Sequence, residues 1–181
     1  MGLIVVYPND MATEVDRTDG REAGLHPWIG ALVAGLLAGL SMGVVLSVGT
    51  ELMPLIGALY GMESVLGGWI AHLANSVVFA LLFAAVLSRD IVRHESFTLS
   101  TYLGIGIGYG AVLGVVTAGV LFPLWLDAGT GVGLPFPFLP FPGTGDWFVS
   151  SLVLGLAHLV YGAVLGPAYA VASRSVPAVH R

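Results

Sequence analysis

The side chains best suited to chemistry in this sequence are two histidines set in long apolar stretches. Ala71-His72-Leu73 recurs as Ala157-His158-Leu159. Three residues after each histidine stands a hydrogen-bonding side chain, Asn75 after His72 and Tyr161 after His158. Small residues follow at four-residue steps, as His72-x3-Ser76-x3-Ala80 and His158-x3-Gly162-x3-Gly166. On a helix these residues share one face, so each histidine is expected to point into a bundle. An ionisable side chain at membrane depth is a candidate functional group.

Four readings of the pair are open. Each imidazole could be neutral and hydrogen-bonded across helices. The two could be axial ligands of one haem b, since neutral imidazole suits iron. They could belong to a proton or ion path made of Glu51, His72, Asn75, His158 and Tyr161. Or they could join Glu51 in a two-histidine metal site, although no i, i+4 histidine motif supports one. Asn75 and Tyr161 are expected to hydrogen-bond a neighbouring helix.

The elements that must carry these residues are helices. A spanning helix needs about 20 mainly apolar residues, because each rises about 1.5 Å through a core about 30 Å thick. Four segments qualify, at about 28–50, 65–88, 99–122 and 148–172. Unpaired backbone groups are not tolerated in lipid, which leaves the helix as the reading for such stretches. His72 precedes Arg89 by 17 residues and His158 precedes Arg174 by 16. Helical rise then puts both about 25 Å from the arginine-bearing end, in the outer part of the membrane.

The segments repeat as well. Gly35-x3-Gly39-x3-Gly43-Val44-Val45 returns as Gly106-x3-Gly110-x3-Gly114-Val115-Val116, and Leu52-Met53-Pro54-Leu55 as Leu121-Phe122-Pro123-Leu124. With the histidine triplets this makes a duplicated unit of two spans, about 28–89 and 99–174. Units of two spans share one orientation, so the implied pseudo-twofold runs along the membrane normal, as in parallel transporter repeats. Glycines four apart open a helix face to close backbone approach. The two ladders are expected to pack the ladder helices against each other or to form a homodimer. A glycine face with room for a flat cofactor or a lipid tail is the functional alternative. Gly162 and Gly166 extend the small-residue packing to the last helix.

Arginine sets the orientation. Arg17, Arg21, Arg89, Arg93, Arg174 and Arg181 fall on the two tails and on the 89–98 connection. By the positive-inside rule both termini are cytoplasmic. Trp28, Trp69, Trp125 and Trp147 fall near span ends, where aromatic belts form. Pro54 and Pro123 are expected to end the first and third helices, and Pro167 to kink the fourth by freeing the carbonyl of Ala163. Glu63 and Asp146 suit helix N-termini. The connection from Glu51 to Glu63 is expected to be a short amphipathic turn on the outer surface. The second, Gly131 to Pro142, alternates proline with aromatic residues and favours an extended run against the membrane interface, or a strap for a partner.

Residues 1–26 read as a mobile cytoplasmic tail and 175–181 as a C-terminal tail, with the membrane domain at 27–174. Leu3 to Tyr7 is too short for a signal peptide and stops at Pro8. Met11 would open the chain more naturally than Met1.

Composition agrees with the membrane reading. Of 181 residues, 56% are hydrophobic and 9% charged, against about 25% charged in a soluble domain, and the mean hydropathy is +0.92. There is no cysteine, which excludes disulfides and thiolate metal sites from this chain alone. A net charge of -5 without a basic cluster argues against nucleic-acid binding. The lysine-free, acidic balance fits a salt-adapted organism. His94 lies in a short polar connection with no kinase domain around it, and no Gly-rich phosphate loop, nucleophile elbow or HExxH motif is present.

The segment Ala157-His158-Leu159-Val160-Tyr161-Gly162-Ala163-Val164-Leu165-Gly166-Pro167-Ala168-Tyr169 resembles a motif of small four-helix membrane proteins of haloarchaea. Those proteins have no assigned function and are sometimes labelled histidine kinases. There is a fainter likeness to the YagU-type inner-membrane family, whose last helix is similar. The resemblance implies a multi-pass protein of a halophilic archaeon and is nearly silent on activity. Asn75 and Ser76, in place of Tyr161 and Gly162, depart from the motif.

The fold expected is all-α: an integral membrane four-helix bundle of two parallel two-helix repeats. The function expected is non-enzymatic, an accessory subunit or a small solute or proton conduit in the cell membrane. A b-type haem protein with His72 and His158 as axial ligands is the alternative. No cofactor is expected otherwise. The partners expected are the lipid bilayer and a homodimer or larger membrane complex.

Overall fold

The computed structural model describes residues 25–89, 97–130 and 145–173. Described residues that form regular structure are all helical. They form α1 (Pro27–Gly49), α2 (Met53–Ala58), α3 (Val65–Leu87), α4 (Leu99–Leu113), a π-helical continuation (Gly114–Leu121), α5 (Phe122–Thr130) and α6 (Gly145–Ala172). Four helices are long and apolar enough to cross a membrane: Pro27–Gly49, Val65–Leu87, Leu99–Leu121 and Phe148–Ala172. Each matches the sequence expectation to within a residue at either end, because the bilayer fixes the length of apolar chain a span requires.

The caps follow the sequence. Pro27 opens α1, where a missing N–H costs nothing. Ser64, rather than Glu63, caps α3 by accepting the N–H of Gly67 at 2.9 Å. Thr98 caps α4 by accepting the N–H of Thr101 at 3.2 Å. Each satisfies one of the orphan donors of a helix start.

The burial pattern inverts that of a soluble protein. On α1 the buried stripe is small, with Ala31, Ala34, Gly35, Ala38 and Gly39, while Leu32, Leu36, Leu37, Leu40 and Val44 face outward. Small residues inside let backbones close up, and large aliphatic side chains outside meet lipid. The neighbours of the glycines give the helix directions. Gly35 lies against Ala80 and Gly43 against Trp69, so α1 and α3 are antiparallel. Gly30 lies against Ser173 and Gly49 against Val153, so α1 and α6 are too. The Leu25 N–H donates to the Ala172 carbonyl at 3.0 Å, which sets the start of the first span beside the end of the last. We call this the terminal end and its opposite the far end.

The lateral order is α3, α1, α6, α4, with tight packing at each of the three junctions. No such packing joins α3 to α4. Toward the terminal end aromatic side chains fill that gap. The Tyr109 hydroxyl donates to the Phe79 carbonyl at 2.7 Å, and the Phe83 ring meets those of Tyr109 and Tyr169 at 5.2 and 5.7 Å. Toward the far end the gap stays open.

Three expectations need correction. The ladder helices α1 and α4 do not pack on each other. Gly35, Gly39 and Gly43 receive α3, and Gly106, Gly110 and Gly114 receive α6, each ladder meeting the helix that carries a histidine. The chain from 51 to 63 is more than a turn: it contains the helix α2, buried on one side, while Glu51 and residues 60–63 stay exposed. Leu52 and Met53 are buried, and Gly57 abuts Met62, Gly67 and Gly68, since glycine lets α2 lie directly on the first turn of α3. The third span does not stop at Pro123. It widens into π-helical turns, with the Phe122 N–H donating to the Thr117 carbonyl, and runs into α5. Pro167, expected to kink the fourth span, lies inside α6. Residues 1–24 and 174–181 of the two tails, His94 and the 131–142 proline–aromatic run lie outside the described residues.

Candidate functional site

Helices α1, α3, α4 with its π-helical continuation, and α6 line a half-open cavity of about 150 Å³ toward the far end, with Leu52, Ile56 and Leu59 at α2 also lining it. His72, Asn75, His158 and Tyr161 all line it. Four of the five polar residues expected to act together therefore share one wall. The fifth, Glu51, is exposed and lies outside the lining, because α1 ends at Gly49 and the chain turns away before α2.

The histidines are held in different ways. His72 turns its Nε2–H onto the Gly39 carbonyl of α1 at 2.9 Å. Its Cδ2 edge lies under Gly43, where a methyl group would come within 3.2 Å. Since a carbonyl only accepts, the hydrogen is on Nε2, and Nδ1 keeps its lone pair on the opposite edge. His158 does the reverse. Its Nδ1–H donates to the Leu154 carbonyl one turn back at 2.8 Å, leaving Nε2 to face the Thr117 hydroxyl at 3.1 Å. Thr117 is also 2.6 Å from the Leu113 carbonyl, so its single proton serves one acceptor or the other. Gly114 lies against Cβ and Cγ of His158 as Gly43 lies against His72.

The difference has a sequence cause. Thr117 stands three residues after Gly114, and the residue three after Gly43 is Leu46. Leu46 is buried and lines the cavity but offers no hydroxyl. His72 therefore finds its partner in a carbonyl that Gly39 leaves uncovered. Sequence reasoning missed Thr117, although its place on the Gly110/Gly114 face was the sign to follow.

Tyr161 crosses the bundle to donate to the Ser76 carbonyl at 2.6 Å, while the Ser76 hydroxyl donates to the His72 carbonyl at 2.8 Å. Asn75 bonds no neighbouring span. It accepts at Oδ1 from the Tyr60 hydroxyl at 2.7 Å, in the connection after α2. The Tyr60 ring packs on Trp125 of α5 at 5.5 Å, so this aromatic pair narrows the far-end gap between α3 and α4 without filling it.

Chemically the wall offers two imidazoles, an amide and hydroxyls, which can donate and accept hydrogen bonds, and no carboxylate is among the residues that line it. Among the described residues no three His, Cys, Asp or Glu side chains converge. The residues do not fit a bis-histidine haem as arranged. Nε2 of each ring is directed at a protein oxygen, so both imidazoles would have to turn to ligate one iron through that nitrogen.

The fold and cavity define a multi-pass membrane protein. Comparison with known protein families, curated proteins and solved structures gives no match.

Proposed function

We propose that this chain is a non-enzymatic membrane protein that admits a small solute to a histidine-walled interior, as a conduit or as the solute-binding subunit of a larger complex. One observation carries the reading: His72, Asn75, His158 and Tyr161, from two separate helices, converge on a single cavity. Binding sites are concave, largely apolar, and carry a few convergent polar groups. A continuous proton path is less well supported, because Phe83, Tyr109 and Tyr169 fill the terminal half with rings. A haem is disfavoured by the occupied Nε2 atoms.

The arginine pattern supports cytoplasmic termini in the cell membrane, so the far end and its cavity face outward. The matching glycine contacts, Gly43 on His72 and Gly114 on His158, support descent from a duplicated two-helix unit with parallel halves. A homodimer would use faces other than the two ladders, which are consumed within one chain.

The absence of cysteine provides the test. Single Asn75→Cys and Thr117→Cys variants are treated with the small thiol reagent N-ethylmaleimide in membranes, beside Ala84→Cys in the packed half. Asn75→Cys and Thr117→Cys are expected to react and Ala84→Cys to stay inert. If the first two are as inert as the third, no solute reaches the cavity and the proposal fails.

A further inference from the structure

The cavity has a size, a wall and an entrance, and together they select a chemical class of occupant. This step rests on the reading of the cavity as a solute site. A volume of about 150 Å³ matches an engineered apolar protein cavity that takes up benzene. It therefore admits one six-membered ring. Most of the lining is apolar, including Met42, Leu46, Phe79, Leu113 and Leu154.

Two polar atoms in this wall are not used by the protein. With Nε2–H given to Gly39, Nδ1 of His72 is an acceptor, and no described residue donates to it. With Oδ1 taken by Tyr60, the Asn75 amide nitrogen is a donor, and no described residue accepts from it. His72 is 6% exposed, so its Nδ1 is a buried polar atom that calls for a partner. Positions three apart on α3 present this acceptor and this donor on one face. A hydroxyl group donates once and accepts as well, so it satisfies both. A ring carbonyl would satisfy Asn75 but oppose its lone pair to that of Nδ1. A plain hydrocarbon would leave both unpaired, at a cost.

Leu121 and Trp125 line the cavity and are also exposed on the outside, beside the far-end gap where α3 and α4 do not pack, so the cavity opens there. We infer that the cavity binds a lipid-soluble molecule whose head is a single aromatic ring bearing a hydroxyl, a phenol or hydroquinone, between His72 and Asn75.

The test uses the full chain in lipid nanodiscs, with phenol and its isostere toluene as probes and affinities referred to ligand dissolved in lipid. Phenol is expected to bind about tenfold more tightly, the effect of the hydroxyl's two hydrogen bonds. The ¹⁵N resonance of His72 Nδ1 is expected to move on adding phenol, with that of His158 unchanged. Asn75→Leu is expected to abolish the preference and keep toluene binding, which also reports that the variant is folded. Equal binding of phenol and toluene to the wild type would overturn the hydroxyl assignment and leave the cavity as a solute site. Binding of neither would overturn this inference, and with inert Asn75→Cys and Thr117→Cys it would overturn the solute site as well.

Discussion

The hydroxyl of Tyr161 on α6 donates to the carbonyl of Ser76 on α3 at 2.6 Å, joining two helices that do not pack directly. This bond forms the floor of the cavity and separates it from the ring-filled half. Tyr161→Phe removes the donor and little else. Loss of about 1 kcal/mol in bundle stability is expected, near the upper range for hydrogen bonds between membrane helices. Thermal unfolding in detergent measures it. A change of several kcal/mol would mean that the hydroxyl has a further partner.

The glycine ladders make a paired prediction. A methyl at Gly110 would meet the His158 carbonyl, and one at Gly106 the Gly162 carbonyl, whereas Gly104 and Gly108 have open space beyond them. Gly110→Val is expected to separate α4 from α6 and to cost at least about 1–3 kcal/mol from overpacking. Gly108→Val, two residues away and so on the outward face, is expected to cost nothing, since space is open there and Val has the higher helix propensity. Relative melting temperatures decide the matter, and equal losses would contradict the assigned face.

Thr117 holds the imidazole of His158. Thr117→Val keeps the shape and removes the hydroxyl, so Nε2 loses its only hydrogen-bond partner among the described residues. The expected cost is about 1–3 kcal/mol, that of leaving a buried polar atom unpaired. Thr117→Ser, which restores the hydroxyl, is expected to recover most of it. Histidine ¹⁵N spectra should show the His158 Nε2 resonance moving in Thr117→Val while His72 stays fixed.

Phe83 is buried among Tyr109 and Tyr169. Phe83→Ala is expected to cost about 3–5 kcal/mol and to extend the cavity toward the terminal end. Labelling of Ala84→Cys by N-ethylmaleimide in that background reads the extension directly. An inert Ala84→Cys there would mean that neighbouring side chains collapse into the space.

The single chain also explains which features were legible beforehand. The spans were readable to a residue because lipid admits no unpaired backbone, and about 20 apolar residues are the shortest helical answer. That His72, Asn75, His158 and Tyr161 would face one interior was readable from their spacing against small residues. Glu51 was misread because helical depth says nothing of where the chain turns after Gly49.

The sequence by itself determined how many segments are long and apolar enough to cross a membrane, that they are helical, and which faces permit close approach. All of these follow from local chemistry and helical period. Only the tertiary structure decided which helix each ladder receives, because a glycine admits any backbone and names none. It alone decided that His72 and His158 carry their hydrogens on opposite nitrogens, since that depends on a Gly39 carbonyl 33 residues away and a Thr117 hydroxyl 41 residues away. And it left α3 and α4 apart at the far end, because the rings of Phe83 and Tyr109 fill only the terminal half between them.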